Sequence, residues 1–416
     1  MTVPPNTALA RKLTWVLFTA QAFGSAGFIA AATIASVAGA ELSGREAWAG
    51  VPSATFLLGS ALAAYLWGVV MDALGRRTGL VLGLWTGVFG SLVAAWAIVQ
   101  GSFGLLLMGL PLMGSAQAAL QLGRFAAAEI SPPLLRGRAI SNVVLGGTVG
   151  AIMGPLLVGP MGVLSLRLGL PELTGAYVAS AGMFLLALLV VFALLRPDPR
   201  DVGRQLELDA GGTQTDTRAA RPLTVIFRQP AVIAAVSAMV FGQVVMVMLM
   251  VITALHMTHH GHALGSVSAV ISSHTLGMYA FSVLSGRLTD RWGRAPVIIS
   301  GAATLLLACV LAPLSPQVLP LAVSLFLLGL GWNFCFVGGS SLLADQLSPA
   351  ERSRAQGVND LLLNLASAAG SLGSGVVFAG VGYAAMGLVG ATVALVPLAL
   401  TFWWWRGVRR IGAAGA

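Results

Sequence analysis

Apolar stretches follow one another along the whole chain, and short polar segments separate them. A helix needs about 20 apolar residues to cross the hydrocarbon core of a bilayer. The pattern therefore predicts an all-α membrane protein with twelve spanning helices, at Leu13–Ala40, Ala47–Met71, Leu80–Val99, Leu105–Ala128, Ala139–Met161, Thr174–Leu195, Ala231–Leu255, Leu264–Leu284, Val297–Leu311, Leu319–Leu343, Ala355–Ala379 and Tyr383–Trp405.

One long polar stretch, Arg196 to Arg221, interrupts this pattern at mid-chain. It is rich in proline, glycine and charge, which is the composition of a linker. We therefore expect a six-helix bundle at residues 1–195, a cytoplasmic linker at 196–222, and a second six-helix bundle at 223–416.

Composition supports the membrane interpretation, because 57% of the 416 residues are hydrophobic and only 9% are charged. The net charge of +9 is spread over short interhelical segments, whereas nucleic-acid binding needs a clustered basic face. We therefore expect the lipid bilayer and no nucleic acid as partner. The spans offer no catalytic nucleophile, metal constellation or glycine-rich phosphate loop, so we expect neither an enzyme nor a cofactor.

The basic residues also predict the orientation. If the N-terminus is cytoplasmic, the segments on the other side of the membrane contain only Arg45 and Arg167. Cytoplasmic loops carry the excess of basic residues. The sequence thus predicts that both termini lie inside and that the protein resides in the inner (cytoplasmic) membrane.

Two segments of the first half recur in the second. The segment with Gly68, Asp72, Gly75, Arg76 and Arg77 returns 218 residues later with Gly286, Asp290, Arg291, Gly293 and Arg294. We name these the first and second signature loops. A second pair, Glu129 to Arg138 and Asp345 to Arg354, repeats at an offset of 216 residues. Such self-similarity indicates that one structural unit is used twice.

The signature loops resemble the hallmark loop of the major facilitator superfamily, and twelve spans with a mid-chain linker fit that family. Ala73 and Ala295 stand where basic residues are common in the family. The resemblance implies two pseudo-symmetric bundles that work by alternating access. We expect the two loops to be a conformational latch, in which the Asp pairs with arginines or a helix N-terminus. The alternative is a plain basic turn.

The fifth predicted helix carries glycine at every fourth position, at Gly146, Gly150 and Gly154, followed by Pro155. This strip resembles the antiporter signature of the twelve-helix drug–proton exchangers, although Ser141 replaces its leading glycine. Ordinary small-residue packing is the alternative. The arginine that many proton-coupled members carry early in the fourth helix is missing, so proton coupling does not carry over from the resemblance.

The family's cavity is lined by its first, fourth, seventh and tenth helices, and each of these predicted helices contains an amide in its apolar run. The candidate cavity residues are Gln21, Gln117, Gln121, Gln243, Trp332 and Asn333. An amide in hydrocarbon is unfavourable unless it has a partner or faces water. Either a polar substrate cavity or hydrogen bonding between helices accounts for them.

Four residues are candidates for proton coupling: His274, Asp360, Glu129 and Arg124. A neutral, hydrogen-bonded histidine and structural ion pairs are the alternatives for them. Four further histidines, His256, His259, His260 and His262, have spacings that suit a transition metal. They support only a weak hypothesis of metal or metal-chelate transport, because no carboxylate lies beside them in the sequence.

These observations favour a monomeric secondary transporter, with proton-coupled export of small organic or amphipathic compounds as the leading function. A proton symporter or uniporter that takes up a neutral metabolite is the alternative. The pattern identifies neither the substrate nor the direction.

Overall fold

The computed structural model describes residues 5–131, 136–209 and 221–414. Every regular element in these ranges is helical. The α-helices are α1 (Pro5–Ser43), α2 (Val51–Leu74), α3 (Arg76–Val99), α4 (Phe103–Glu129), α5 (Arg136–Arg167), α6 (Thr174–Leu194), α7 (Pro199–Asp209), α8 (Leu223–Ile226), α9 (Pro230–His259), α10 (Leu264–Tyr279), α11 (Ser282–Trp292), α12 (Arg294–Leu311), α13 (Val318–Asp345) and α14 (Pro349–Ala414).

The described residues contain eleven apolar segments long enough to span a bilayer. The last of them, Ala355–Gly407, is 53 residues long, more than twice the length that one crossing requires. Gly382 divides it, because its φ of 79° and ψ of −178° are not helical. Residues 355–381 and 383–407 are thus two spans, and the protein is an all-α, multi-pass membrane protein of the expected class.

Contacts divide the chain into two compact units. The first contains Met1–Gly44 and Thr55–Thr215, and the second contains Arg45–Ala54 and Asp216–Ala416. The short segment Arg45–Ala54 thus packs within the second unit, where the Ser371 hydroxyl donates a hydrogen bond to the carbonyl of Gly50 at 2.8 Å. No pattern in the sequence predicts this assignment.

Within the first unit, α3 shows how these helices pack. Its large side chains face outward, with Trp85 53%, Phe89 61% and Trp96 57% exposed. Its glycines face inward, where a Cβ at Gly83 or Gly87 would press on the Ala119 or Ala116 side chain of α4. Small residues inside and large apolar residues outside are typical of helices that pack closely in lipid.

Two features differ from the predicted spans. The eighth span does not run unbroken from Leu264 to Leu284: α10 ends at Tyr279, α11 begins at Ser282, and α11 continues to Trp292. The linker also contains a helix, α7. Residues 210–220 of the linker and the side chains of Arg136, Arg138, Arg352 and Arg354 lie outside the described part.

Candidate functional site

The first signature loop turns between α2 and α3 at a single residue, Gly75. Its φ of 96° and ψ of 158° lie in a region that is essentially restricted to glycine. This backbone conformation lets α3 begin at Arg76 only two residues after α2 ends at Leu74. By contrast, a Cβ at Gly68 would meet no atom within 4 Å, so the leading glycine is not required by crowding in this state.

Arg76 joins two acids at the loop. Its Nε donates to Oε2 of Glu129 at 3.0 Å, and its Nη2 contacts Oε1 of the same carboxylate. Its Nη1 lies 3.0 Å from Oδ1 of Asp72, one turn back on α2. The Arg76 side chain is only 17% exposed. A bidentate arginine–carboxylate pair fixes orientation as well as charge, so the end of α4 is held against the start of α3.

The beginning of the linker completes this arrangement. The Asp198 carboxylate accepts hydrogen bonds from the backbone N–H groups of Arg76 and Arg77, both at 3.0 Å. The Arg200 guanidinium donates to the carbonyls of Asp72 (2.6 Å) and Ala73 (3.2 Å). An acid therefore caps the N-terminus of α3 and a base caps the C-terminus of α2, as the helix dipoles favour.

Arg77 lies on the other side of the turn. Its Nη2 donates to the carbonyl of Phe192 at 2.7 Å, and its guanidinium lies 5.2 Å from the centre of the Phe192 ring. It therefore connects α3 to the end of α6 instead of pairing with Asp72.

The second signature loop repeats the turn and the ion pairs within the second unit. Gly293 has φ 89° and ψ 167°. Nε of Arg294 donates to Oδ2 of Asp345 at 2.8 Å, and its Nη1 lies 3.7 Å from Oδ1 of Asp290. Arg291 and Gly286 are at the surface of α11, where Arg291 is exposed and a Cβ at Gly286 would meet no atom within 4 Å.

The glycine strip of α5 lies directly on α1. A Cβ at Gly146 or Gly150 would collide with the carbonyl oxygen of Phe18 or Ala22, and one at Gly154 would lie 2.7 Å from that of Ala26. The two backbones are thus in contact over two turns, which only glycine permits. Pro155 follows inside α5, which remains helical through it.

The candidate cavity residues of the first unit have different surroundings. Nε2 of Gln21 lies 3.2 Å from Oγ of Ser25 on α1, and a Cβ at Gly147 of α5 would lie 3.4 Å from the same two atoms. Oε1 of Gln117 is buried without a hydrogen-bond partner in the described residues. Gln121, one turn further along α4, is exposed.

In the second unit, Gln243 and Trp332 belong to one hydrogen-bonded chain. The Trp332 indole N–H donates to Oε1 of Gln243 at 2.6 Å, and Nε2 of Gln243 donates to Oγ of Ser367 at 2.8 Å. The Trp332 ring stacks on Phe336 at 4.9 Å and meets the edge of Tyr279 at 6.2 Å. Two helices, α10 and α13, thus present aromatic side chains near one neutral amide on α9.

Asn333 does not join that chain. It is only 2% exposed, and its Nδ2 donates to the carbonyl of Met278 (2.6 Å) and to Oγ of Ser282 (3.0 Å). Its Oδ1 accepts from Oγ of Ser285. Its amide is therefore fully engaged by the α10–α11 segment.

His274 is buried on α10, with 1% exposure. Its Nδ1 lies 2.9 Å from the carbonyl of Leu325 on α13. Because a carbonyl only accepts, Nδ1 carries the proton in this contact. Nε2 is buried with no hydrogen-bond partner in the part of the chain that the structure describes, so this conformation favours the neutral ring.

The other candidates for proton coupling have contacts of their own. Glu129 is paired with Arg76, as described. The Arg124 guanidinium lies 5.0 Å from the centre of the Phe125 ring, and Oδ1 of Asp360 accepts from Nε2 of Gln356 at 3.2 Å, one turn back on α14.

Of the four histidines near the end of α9, the rings of His256 and His260 lie 4.4 Å apart, and the others have separate partners. His256 stacks on Tyr383 at 4.0 Å, His260 contacts the backbone of His256, and His262 contacts the carbonyl of Pro316. His259 lies 3.7 Å from Glu46. Within the described residues, no three His, Cys, Asp or Glu side chains are arranged to hold a metal ion.

The sequence pattern does not predict the polar contacts of three linker residues: Asp198 and Arg200 at the start of the linker, and Arg221 at its end. Arg221 makes a bidentate pair with Glu351, at 2.7 and 2.8 Å. This pair lowers the pKa of Glu351 well below its usual range and raises the pKa of Arg221. In the sequence, each of these residues is a charged residue beside a proline in a polar stretch. That pattern does not indicate which residue it contacts.

The sequence profile of the Major Facilitator Superfamily matches residues 15–269 and 245–414. The chain belongs to that superfamily. It is 36% identical over 398 residues to the uncharacterized MFS-type transporter YdeG of Bacillus subtilis, covering 95% of this chain and 92% of that protein. It is 32% identical over 360 residues to the riboflavin transporter RfnT of Brucella anthropi, covering 86% and 87%.

Among solved structures, a bacterial homolog of the human lysosomal transporter Spinster matches with a TM-score of 0.70 and 17% identity, over 97% of this chain and 98% of that one. This similarity shows the superfamily fold. The protein is a membrane transporter of small molecules and not an enzyme, and its multi-pass helices and repeated loops are those of the superfamily.

Proposed function

We propose that this protein is a secondary transporter that works by alternating access in the inner (cytoplasmic) membrane, with both termini inside. The observation that carries the proposal is the repeated arginine bridge. Arg76 joins Asp72 to Glu129, and Arg294 joins Asp290 to Asp345, at equivalent places in the two repeats. Partly exposed charge pairs are weak enough to break and reform during a cycle. They therefore suit a conformational latch.

The substrate class follows from the neutral, aromatic character of the candidate cavity. Trp332 and Gln243 of the second unit would provide a flat apolar surface beside an amide. Such a lining suits small organic or amphipathic compounds with planar rings. The riboflavin transporter that matches 86% of the chain supports this class.

The direction that we propose is export in exchange for protons, and the support is the α5 glycine strip. Its backbone contact with α1 accounts for the glycines by close packing, so the support for export is the sequence resemblance of the strip. It resembles the signature of drug–proton exchangers. His274 is the proposed proton carrier, and it would accept its second proton in a conformation that gives Nε2 a partner.

Vesicle assays test the direction. Inside-out vesicles that contain the protein should accumulate a planar organic compound when a pH gradient, acid inside, is imposed. Accumulation only in right-side-out vesicles would exclude export. The compound for this assay is identified by a thermal-shift screen of the purified protein against diverse compounds.

Uptake of a neutral metabolite by symport or uniport is the second candidate, and the similarity to the riboflavin transporter RfnT supports a neutral metabolite as substrate. Riboflavin flux into right-side-out vesicles would be its direct demonstration. No riboflavin flux in either orientation would remove this substrate from consideration.

The proton carrier can be tested with two variants of His274. His274→Asn keeps a donor for the carbonyl of Leu325, whereas His274→Leu removes it. We expect the Asn variant to fold normally and to lose the pH dependence of transport. Wild-type pH dependence in this variant would show that the proton moves elsewhere.

A further inference from the structure

No proline lies in the helical segment that contains the break between α10 and α11. The two residues at the break are Ala280 and Phe281, and Phe281 has φ −97° and ψ 5°. Sharp kinks usually occur at proline, at glycine or where a side chain enters the hydrogen-bond ladder. Here Gly277 lies one turn before the break, Oγ of Ser285 donates to the carbonyl of Phe281 at 2.9 Å, and a side chain of another helix enters the ladder.

The side chain that enters is Asn333 of α13. Its Nδ2 donates to the carbonyl of Met278 at 2.6 Å. In an uninterrupted helix, this carbonyl would accept from the N–H of Ser282, four residues on. The same amide group also bonds to Oγ of Ser282, and Ser285 donates to Oδ1. Asn333 thus satisfies backbone and side-chain groups on both sides of the break.

The half of the helix before the break is fixed to α13. Oγ of Ser273 donates to the carbonyl of Ala322 at 2.8 Å, and His274 contacts that of Leu325. A Cβ at Gly277 or Gly329 would collide with the carbonyl of Phe326 or His274. Backbone contact and cross-helix hydrogen bonds therefore hold α10 along its length.

The half after the break is much more exposed. Val283 is 65% and Trp292 is 59% exposed, and only Ser285 and Thr289 of α11 are buried. This half ends at Gly293 and therefore carries the second signature loop.

We propose that residues 280–281 are a hinge, and that Asn333 is the positioning residue on which α11 tilts with its signature loop while α10 stays on α13. This assigns Asn333 a conformational task in place of the substrate contact expected from the sequence. It goes beyond the proposed function, since it concerns how one helix is divided.

Hydrogen exchange on the full-length protein in lipid nanodiscs tests the hinge directly. Amides of residues 282–285 should exchange about tenfold faster than those of residues 270–276, because local opening governs exchange. Asn333→Leu removes the competing donor, so the Met278 carbonyl regains its backbone partner and exchange at 282–285 slows by about tenfold. Ser285→Ala should give a smaller change of the same sign.

Ser324→Ala is the matched control, since Ser324 is also buried on α13 but donates to the carbonyl of Ala308 on α12 at 3.0 Å. It should leave exchange at 282–285 unchanged. Uniform exchange along wild-type residues 270–285, or an Asn333→Leu profile equal to that of wild type, would overturn the hinge.

Transport kinetics with riboflavin as the substrate distinguish a positioning role of Asn333 from a role in substrate binding. Asn333→Leu should lower the maximal rate with an unchanged KM, because the hinge limits the conformational step and not recognition. A raised KM with an unchanged maximal rate would identify Asn333 as a substrate ligand and overturn the proposal. If wild-type protein moves no riboflavin, that substrate fails and the exchange measurement alone decides the hinge.

Discussion

The two signature loops have nearly the same sequence and the same backbone turn, yet their surroundings differ. Gly75 and Gly293 adopt almost equal dihedral angles, and each is followed by an arginine that joins two acids. At the first loop, Asp198 and Arg200 of the linker add four hydrogen bonds to backbone groups of residues 72–77. A Cβ at Gly293 would meet nothing nearer than Cδ of Pro296, at 4.0 Å.

This difference shows that two copies of one sequence motif can be held with different rigidity by their surroundings. The first loop is held by its arginine and by the linker, and it follows the unbroken helix α2. The second is held by a more exposed arginine, 31% against 17%, and follows the short helix α11. We therefore expect the first loop to be more rigid than the second. Variants at the two loops test this expectation through the stability that each one loses.

The largest difference is expected from alanine at the turn glycines. Gly293→Ala should cost about 1–3 kcal/mol, because the backbone region is essentially restricted to glycine. Gly75→Ala should cost more, since its Cβ would also lie 2.5 Å from Oδ2 of Asp198. Thermal unfolding in detergent measures both. Gly68→Ala and Gly286→Ala, which have open space, are the controls, and equal losses at Gly75 and Gly293 would contradict the comparison.

The ion pairs should come next. Glu129→Gln removes the charge from a partly buried, bidentate pair and should cost about 1.5–3 kcal/mol. Asp345→Asn acts on a more exposed pair and should cost about 0.2–1 kcal/mol. Unfolding midpoints are measured with and without about 0.5 M salt. At that salt concentration the Debye length is only roughly a few Å, so exposed charge pairs are screened. Salt should weaken the second pair more, and the opposite ranking would argue against a stiffer first loop.

Removal of the linker cap should have a moderate effect. Asp198→Ala leaves the first N–H groups of α3 without their acceptor and should cost about 0.5–2 kcal/mol. Asp198→Asn keeps one acceptor oxygen and should recover most of this loss. Transport rates should follow the same order. An alanine variant as stable and as active as wild type would show that the linker does not support the loop.

The other end of the linker should show a smaller effect that depends on pH. The bond to Arg221, followed by the Ser348 and Arg221 N–H groups, lowers the pKa of Glu351 in the folded state. A lowered folded pKa stabilises the protein above the unfolded value of about 4.3 and loses this contribution as pH falls below it. Wild type should therefore exceed Glu351→Gln in unfolding temperature at pH 7, and this margin should shrink as the pH falls below about 4. A margin that grows on acidification would reverse the assigned sign.

Much of the fold was predictable because the bilayer constrains it so strongly. The apolar runs had to be about 20 residues long to cross the hydrocarbon core, and their positions agree with the observed helices apart from the eighth span. The repeats likewise identified Asp72, Glu129, Asp290 and Asp345 as acids near arginines, and the structure pairs them with Arg76 and Arg294. The superfamily then followed from the loops.

The contacts of the linker were not predictable. Asp198 reaches the first signature loop only after six helices have returned the chain to that end of the bundle. No local pattern encodes such a distant partner. The hydrogen bonds of Asn333 were not predictable either. The residues beside it in the sequence do not indicate that its amide contacts Met278 and Ser282 of another helix segment.

The sequence by itself determined the spans, the repeat and the glycine turns, since the length of an apolar run and the absence of a Cβ are properties of single segments. Only the tertiary structure decided which acid caps which helix and where the eighth span breaks. The reason is physical: Ala280 and Phe281 are compatible with a continuous helix, and a hydrogen-bond donor from another helix, Asn333, competes for the carbonyl that would have continued it.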